Sequence, residues 1–148
     1  MQTLVVTQDE NRIDRQTIMQ AGEIIRNGGV FYGASQTDDF SVVHIRGESA
    51  DGLSKIQGTK YLPSDTATCY GQISEDLEQG RKVLFSGTPC QVDGMLRFVK
   101  TKKLPQEKLY TVDIICHGVP SPNFYKAYLE WLQTEVGDGI AEYKFRSK

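Results

Sequence analysis

The chain alternates between short apolar runs and stretches in which apolar residues return every three or four positions, so strands and helices follow one another along its length. Thr3 to Val6 predicts a short strand. After polar Thr7 to Asn11, the residues Ile18, Ala21, Ile24 and Ile25 share one face of a helix that Asn27-Gly28-Gly29 ends. Val30 to Ala34 and Phe40 to Ile45 flank a Thr37-Asp38-Asp39 turn and read as a hairpin. Between Gly47 and Ser64 the pattern weakens to one helical turn around Leu53 and Ile56 and a break at Leu62-Pro63.

Periodicity returns from Thr68. A helix to Gln79 carries Ile73 and Leu77 and stops at Gly80; Val83-Leu84-Phe85 is a buried-strand pattern. Gln91 to Lys100 places Val92, Met95, Leu96 and Val99 on one helical stripe, and Leu109 to Ile115 is a further strand. Ser121-Pro122 supplies an N-cap and an N1 proline for a helix bearing Tyr125, Tyr128, Leu129, Leu132 and Val136. Trp131 and the tyrosines of this helix read as core, or as contact surface. Ile140 to Phe145 alternates like a strand. Strand and helix in alternation predict an α/β fold: an open mixed or parallel sheet with flanking helices, built around a βαβ unit at residues 83–115. Residues 1–148 read as a single domain in which 1–30 is an atypical strand-helix segment.

Composition narrows the class. Hydrophobic residues at 39% and charged residues at 24% are ordinary globular usage. A formal net charge of −2 lacks the basic excess that phosphate-backbone binding calls for, so nucleic acid is not an expected partner. No apolar run reaches the ~20 residues of a membrane helix and no export signal opens the chain, so the expected location is cytoplasmic. Three widely spaced cysteines, Cys69, Cys90 and Cys116, do not suggest a disulfide framework, and with His44 and His117 they form no self-contained zinc motif.

Two loops carry candidate chemistry. Ser86-Gly87-Thr88-Pro89-Cys90-Gln91 turns from a strand into a helix, where unpaired backbone N–H groups and the helix dipole favour an anion; an ordinary β-to-α turn is the plainer reading. One unit later, Cys116-His117-Gly118-Val119-Pro120-Ser121-Pro122 repeats the design. If the two strands are parallel, the crossover rule brings Cys90, Cys116 and His117 to one sheet edge, as a candidate redox or metal site. Cys69 lacks that setting and reads as structural or incidental, and His44, in an alternating strand, as a surface or satisfied core residue.

The phrases Gly29-Val30-Phe31-Tyr32-Gly33-Ala34, Gly58-Thr59-Lys60-Tyr61, Ser86 to Gln91 and Val112 to Pro122, in this order, resemble the beta-subunit family of coenzyme F-420 (deazaflavin) hydrogenases and dehydrogenases over about residues 29–148. The resemblance implies an iron–sulfur flavoprotein-type oxidoreductase, with FAD passing electrons between a 4Fe-4S cluster and a deazaflavin or other acceptor. It makes Cys90 and Cys116 cluster ligands. Lys60, Tyr61, Ser86, Gly87, Thr88 and Pro89, together with Gln91 and His117, would border the cofactor. Further family cysteines are missing, so 31–148 reads as a partial family region that needs Cys69, Asp93, a redox partner subunit or a dimer mate to complete a cluster. The alternative is an inactive α/β binding or interaction domain that keeps the scaffold. Residues 1–30 instead resemble the start of the threonylcarbamoyl-AMP synthase family of tRNA modification, without its substrate-binding continuation, which suggests a chimera or a coincidental likeness.

Overall fold

The computed structural model describes residues 2–5, 10–137, 140, 143 and 145, and side chains from Thr17 onward. Five strands, β1 (Gln2–Val5), β2 (Val30–Gln36), β3 (Val42–Gly47), β4 (Val83–Gly87) and β5 (Leu109–Asp113), form one sheet in the order β1-β5-β4-β2-β3. The first four strands of that order run parallel, and β3 lies antiparallel to β2 at the edge. The sheet is therefore mixed. Helices α1 (Glu10–Arg26), α2 (Ala50–Ile56), α3 (Ala67–Glu78), α4 (Pro89–Thr101) and α5 (Pro122–Val136), with one 3-10 turn at Gln106–Lys108, complete the described elements.

The two-residue strand period separates two cores. Val30, Tyr32, Val83, Phe85 and Leu109 face α3 and α4, where they meet Ile73, Leu77, Val92, Met95 and Val99. Phe31, Leu84 and Val112 project from the opposite face onto Ala21 and Ile24 of α1, with Leu53 and Ile56 of α2 beside them. Parallel strands are covered on both faces in such folds, which explains why β4 is buried at every position.

Local sequence sets the element ends. Gly28 takes φ +72 and passes its N–H to the Ile25 carbonyl, while Gly29 N–H bonds the Ile24 carbonyl, closing α1 before β2 begins. The hairpin turn is fastened by its own hydroxyls: Thr37 donates to Asp39 and to the Ser41 carbonyl, and Ser41 Oγ donates to Asp39.

A charged cluster joins α3 to the hairpin. Asp76 is only 4% exposed, yet it accepts from Tyr32 (2.6 Å) and from Arg46 through both oxygens (2.8 and 2.9 Å). Arg81 reaches the same carboxylate at 3.4 Å and pairs with Glu48 at 2.9 Å. Burial raises the Asp76 pKa, but the bonds from Arg46 and Tyr32 outweigh it and hold the carboxyl below its ordinary value. Tyr32 is pushed well above the usual phenol range by burial and by its bond to that carboxylate.

Ser121 caps α5 by accepting from Phe124 N–H at 3.1 Å. Tyr125 and Leu129 bury against Val42 and Leu62. Of the two readings of Trp131, its 54% exposure rules against core and fits contact surface, and Phe124 and Val136 are exposed with it. The strand expected over Ile140 to Phe145 falls largely outside the described residues; Ile140, Tyr143 and Phe145 themselves are not in a strand.

Candidate functional site

The β4-α4-β5 unit brings the two candidate loops together. β4 and β5 are adjacent and parallel, with Gly87 opposite Asp113 and Ile114 N–H bonded to the Gly87 carbonyl at 2.9 Å. The loops after them consequently leave the same edge of the sheet, which is where open α/β sheets hold their ligands.

A cleft of about 200 Å³ opens at that edge. Its floor is β2 at Gly33 and Ala34, with Ser86 and Thr88 beside it. Ile114 to Val119 forms one stretch of its lining and Gly58 to Leu62 another, joined by Thr17 and Ile18 of α1 and Ile56 of α2. Gly118 adopts φ +103, a conformation that excludes most side chains and lets the 116–119 loop turn along the cleft. The lining is mainly apolar with a few polar groups, the pattern of a small-molecule site.

Of the residues singled out in the sequence, Lys60, Tyr61, Ser86, Thr88, Cys116 and His117 line this cleft. Gly87, Pro89, Cys90 and Gln91 are not among its lining residues. Cys90 and Cys116 are both exposed thiols. Thr88 Oγ1 lies 3.2 Å from Cys90 Sγ, and Gly118 N–H donates to Cys116 Sγ at 3.4 Å. Among the described residues, no three His, Cys, Asp or Glu side chains form a group that could hold a metal ion. Cys69 is fully buried and donates to the His44 carbonyl at 3.6 Å; burial pushes its thiol up to about 11.

Gln91 has turned inward. Its Oε1 accepts from Thr88 N–H (3.0 Å) and Thr88 Oγ1 (3.1 Å), and its Nε2 donates to the Ser64 carbonyl (3.1 Å) and Ser64 Oγ (3.0 Å). Ser64 Oγ is 2.8 Å from His44 Nδ1, and His44 Nε2 is 2.8 Å from the Ser86 carbonyl. A carbonyl can only accept, so Nε2 carries a proton; in the neutral ring that burial favours, Nδ1 then accepts from Ser64. This relay ties the 58–64 wall to the 86–91 loop.

The relay is not legible from spacing, because its members lie on β3, a loop and α4. Thr17 escapes a sequence reading for a different reason. It precedes Ala21 by four residues and Ile24 by seven, so it belongs to the buried stripe of α1, but a stripe traced through apolar residues alone passes over it.

Residues 80–148 match the family that comprises the carboxy-terminal part of the coenzyme F420 hydrogenase/dehydrogenase beta subunit. Over this stretch the chain is similar to that family. The F420 hydrogenase/dehydrogenase beta-subunit match takes in β4, α4, β5 and α5, and with them both cysteine loops. The rest of the cleft, from Thr17 to Leu62, lies outside it. Nothing in the comparisons supports the threonylcarbamoyl-AMP synthase likeness of residues 1–30. No curated protein matches the chain. Among the described residues no helix is long and apolar enough to cross a membrane.

Proposed function

We propose that the chain is an oxidoreductase module of the iron–sulfur flavoprotein type, in which the cleft takes the flat ring of FAD and electrons pass between a 4Fe-4S cluster and a deazaflavin or other acceptor. The observation that carries this reading is the cleft itself: its 114–119 wall belongs to the family-matched region and stands at the ligand-binding edge of the parallel strands.

The lining suits a flavin ring. Gly33, Ala34, Ile56, Leu62 and Val119 offer apolar contact to a flat heterocycle, while Ser86, Thr88, Lys60 and His117 supply polar atoms around it. When bound, the flavin would supply the exchange between one- and two-electron chemistry. The protein's part is to hold the ring, exclude water from one of its faces and fix the 86–91 and 114–119 loops. The cluster fits only in part. Cys90 and Cys116 are accessible thiols of the type that binds iron, but the described residues place no third ligand with them, so the remaining ligands would come from outside these residues, from a dimer mate or from a partner subunit. A beta-subunit family makes a partner subunit the natural source.

A second reading, an α/β interaction domain without electron transfer, is favoured by Phe124, Trp131 and Val136, which stand exposed on α5. An anaerobic visible spectrum after addition of iron, sulfide and FAD separates the two. Flavin bands with retained iron are expected, with iron lost in Cys90→Ser and in Cys116→Ser but kept in Cys69→Ser. Equal iron in all three variants removes the ligand assignment, and a colourless, folded protein favours the interaction domain.

A further inference from the structure

Resting on the reading of the cleft as a flavin-ring site, we infer that α1 supplies a specificity contact to it: the hydroxyl of Thr17 hydrogen-bonds a carbonyl oxygen on the edge of the bound heterocycle.

Thr17 lines the cleft, next to Ile18, and is 8% exposed. Its Oγ1 is fully buried and has no hydrogen-bond partner among the described residues. A buried hydroxyl is rarely left without a partner, because it has surrendered its water and gained nothing in exchange. Burial alone does not require a polar side chain here. Ala21 and Ile24 follow on the same stripe, and valine has almost the shape of threonine. The hydroxyl is therefore a cost in the unliganded chain that a ligand can offset.

The chemistry of the ligand follows from the geometry of the cleft. The cleft's lining is mainly apolar, which suits the faces of a flat ring, and this leaves the few polar residues of the lining, Thr17 among them, for the ring's polar edge. A threonine hydroxyl in a helix has two accessible χ1 positions, so it can turn to donate without moving the backbone. The polar edge of a flavin carries carbonyl oxygens that can accept such a bond. Thr17 also lies outside residues 80–148, so this contact would let the unmatched part of the chain select which heterocycle the family-matched loops receive.

The test is a titration of the purified chain with riboflavin and, separately, with FAD, followed by flavin fluorescence, beside thermal melts without ligand. Wild type, Thr17→Val and Thr17→Ser are compared. Thr17→Val is expected to weaken both flavins about tenfold, the scale of one buried hydrogen bond, while its unliganded melting temperature stays equal or rises. Thr17→Ser is expected to stay within about twofold of wild type. Unchanged flavin affinity in Thr17→Val overturns the contact while leaving the cleft as a flavin site. So does a drop for FAD without one for riboflavin, which would put the hydroxyl on the tail. Equal weakening by serine, which keeps the hydroxyl, and by valine, which removes it, assigns the effect to side-chain fit rather than to the hydroxyl and overturns it too, as does a lower melting temperature for unliganded Thr17→Val. Wild type that binds neither flavin fails the site reading itself and the inference with it.

Discussion

His44 is where one residue's protonation reaches the whole edge of the site. Its ring stacks on Phe85 at 5.1 Å between centroids and is 4% exposed. Burial lowers its pKa, and the Ser86 carbonyl, which favours the charged form, recovers only part of that shift. A folded-state value below the unfolded one means that the unfolded chain takes up the proton first. The neutral ring therefore favours the native state above the ordinary imidazole value near 6.5, and stability falls as pH drops from there toward the lower folded value. Urea midpoints of the wild type should decrease between pH 7 and pH 5.5. In His44→Gln that slope should flatten, even though the variant is less stable at pH 7.5. An unchanged slope would mean that another group titrates in this window. Composition could not disclose any of this: the alternating pattern of β3 leaves His44 as a surface or a core residue, and only the fold buries it and brings Ser64 and the Ser86 carbonyl to its two nitrogens.

Elements are held by a mixture of pattern and position. α4 is readable because Val92, Met95 and Val99 repeat at helical spacing, and α1 because Gly28-Gly29 terminates an apolar stripe. The cleft's two family-matched walls are readable for the same reason, as strand-to-helix loops at parallel strand ends. Asp76 is not. It sits between Ile73 and Leu77 on the inner face of α3, where spacing alone predicts an apolar residue, and its partners Tyr32, Arg46 and Arg81 come from three other segments. It ties α3 to the hairpin through one buried carboxylate. Asp76→Ala would leave Arg46 partly buried with its main partner removed and deprive the Tyr32 hydroxyl of its acceptor. The expected loss is about 3 kcal/mol in chemical denaturation. Tyr32→Phe, which removes one neutral donor and leaves the ion pairs in place, should cost about 1 kcal/mol. Equal losses in the two variants would show that the arginines contribute nothing.

Across the whole molecule, burial is concentrated in the middle of the sheet. Val30, Tyr32, Val83 and Phe85 are fully enclosed between the two helical layers, whereas α5 buries only Tyr125 and Leu129. Amide hydrogen exchange should accordingly be slowest in β2 and β4 and much faster along α5; comparable protection in α5 would require a cover over Phe124 and Trp131. The strand order is the least legible property, since each run can be recognised as a strand without any indication of its neighbours. That order also has a timetable. Gln2 of β1 pairs with Tyr110 of β5, about a hundred residues further along the chain. At ~5–20 residues per second, the ribosome delivers the second strand of that pair roughly 5 to 20 seconds after the first. Throughout that interval β1 has made no sheet bond of its own, and it can join only after the chain through β5 has emerged. Among the described strands, the edge strand β1 thus leads in the chain and is the last able to join the sheet, and the newborn chain must carry it unpaired past the other four.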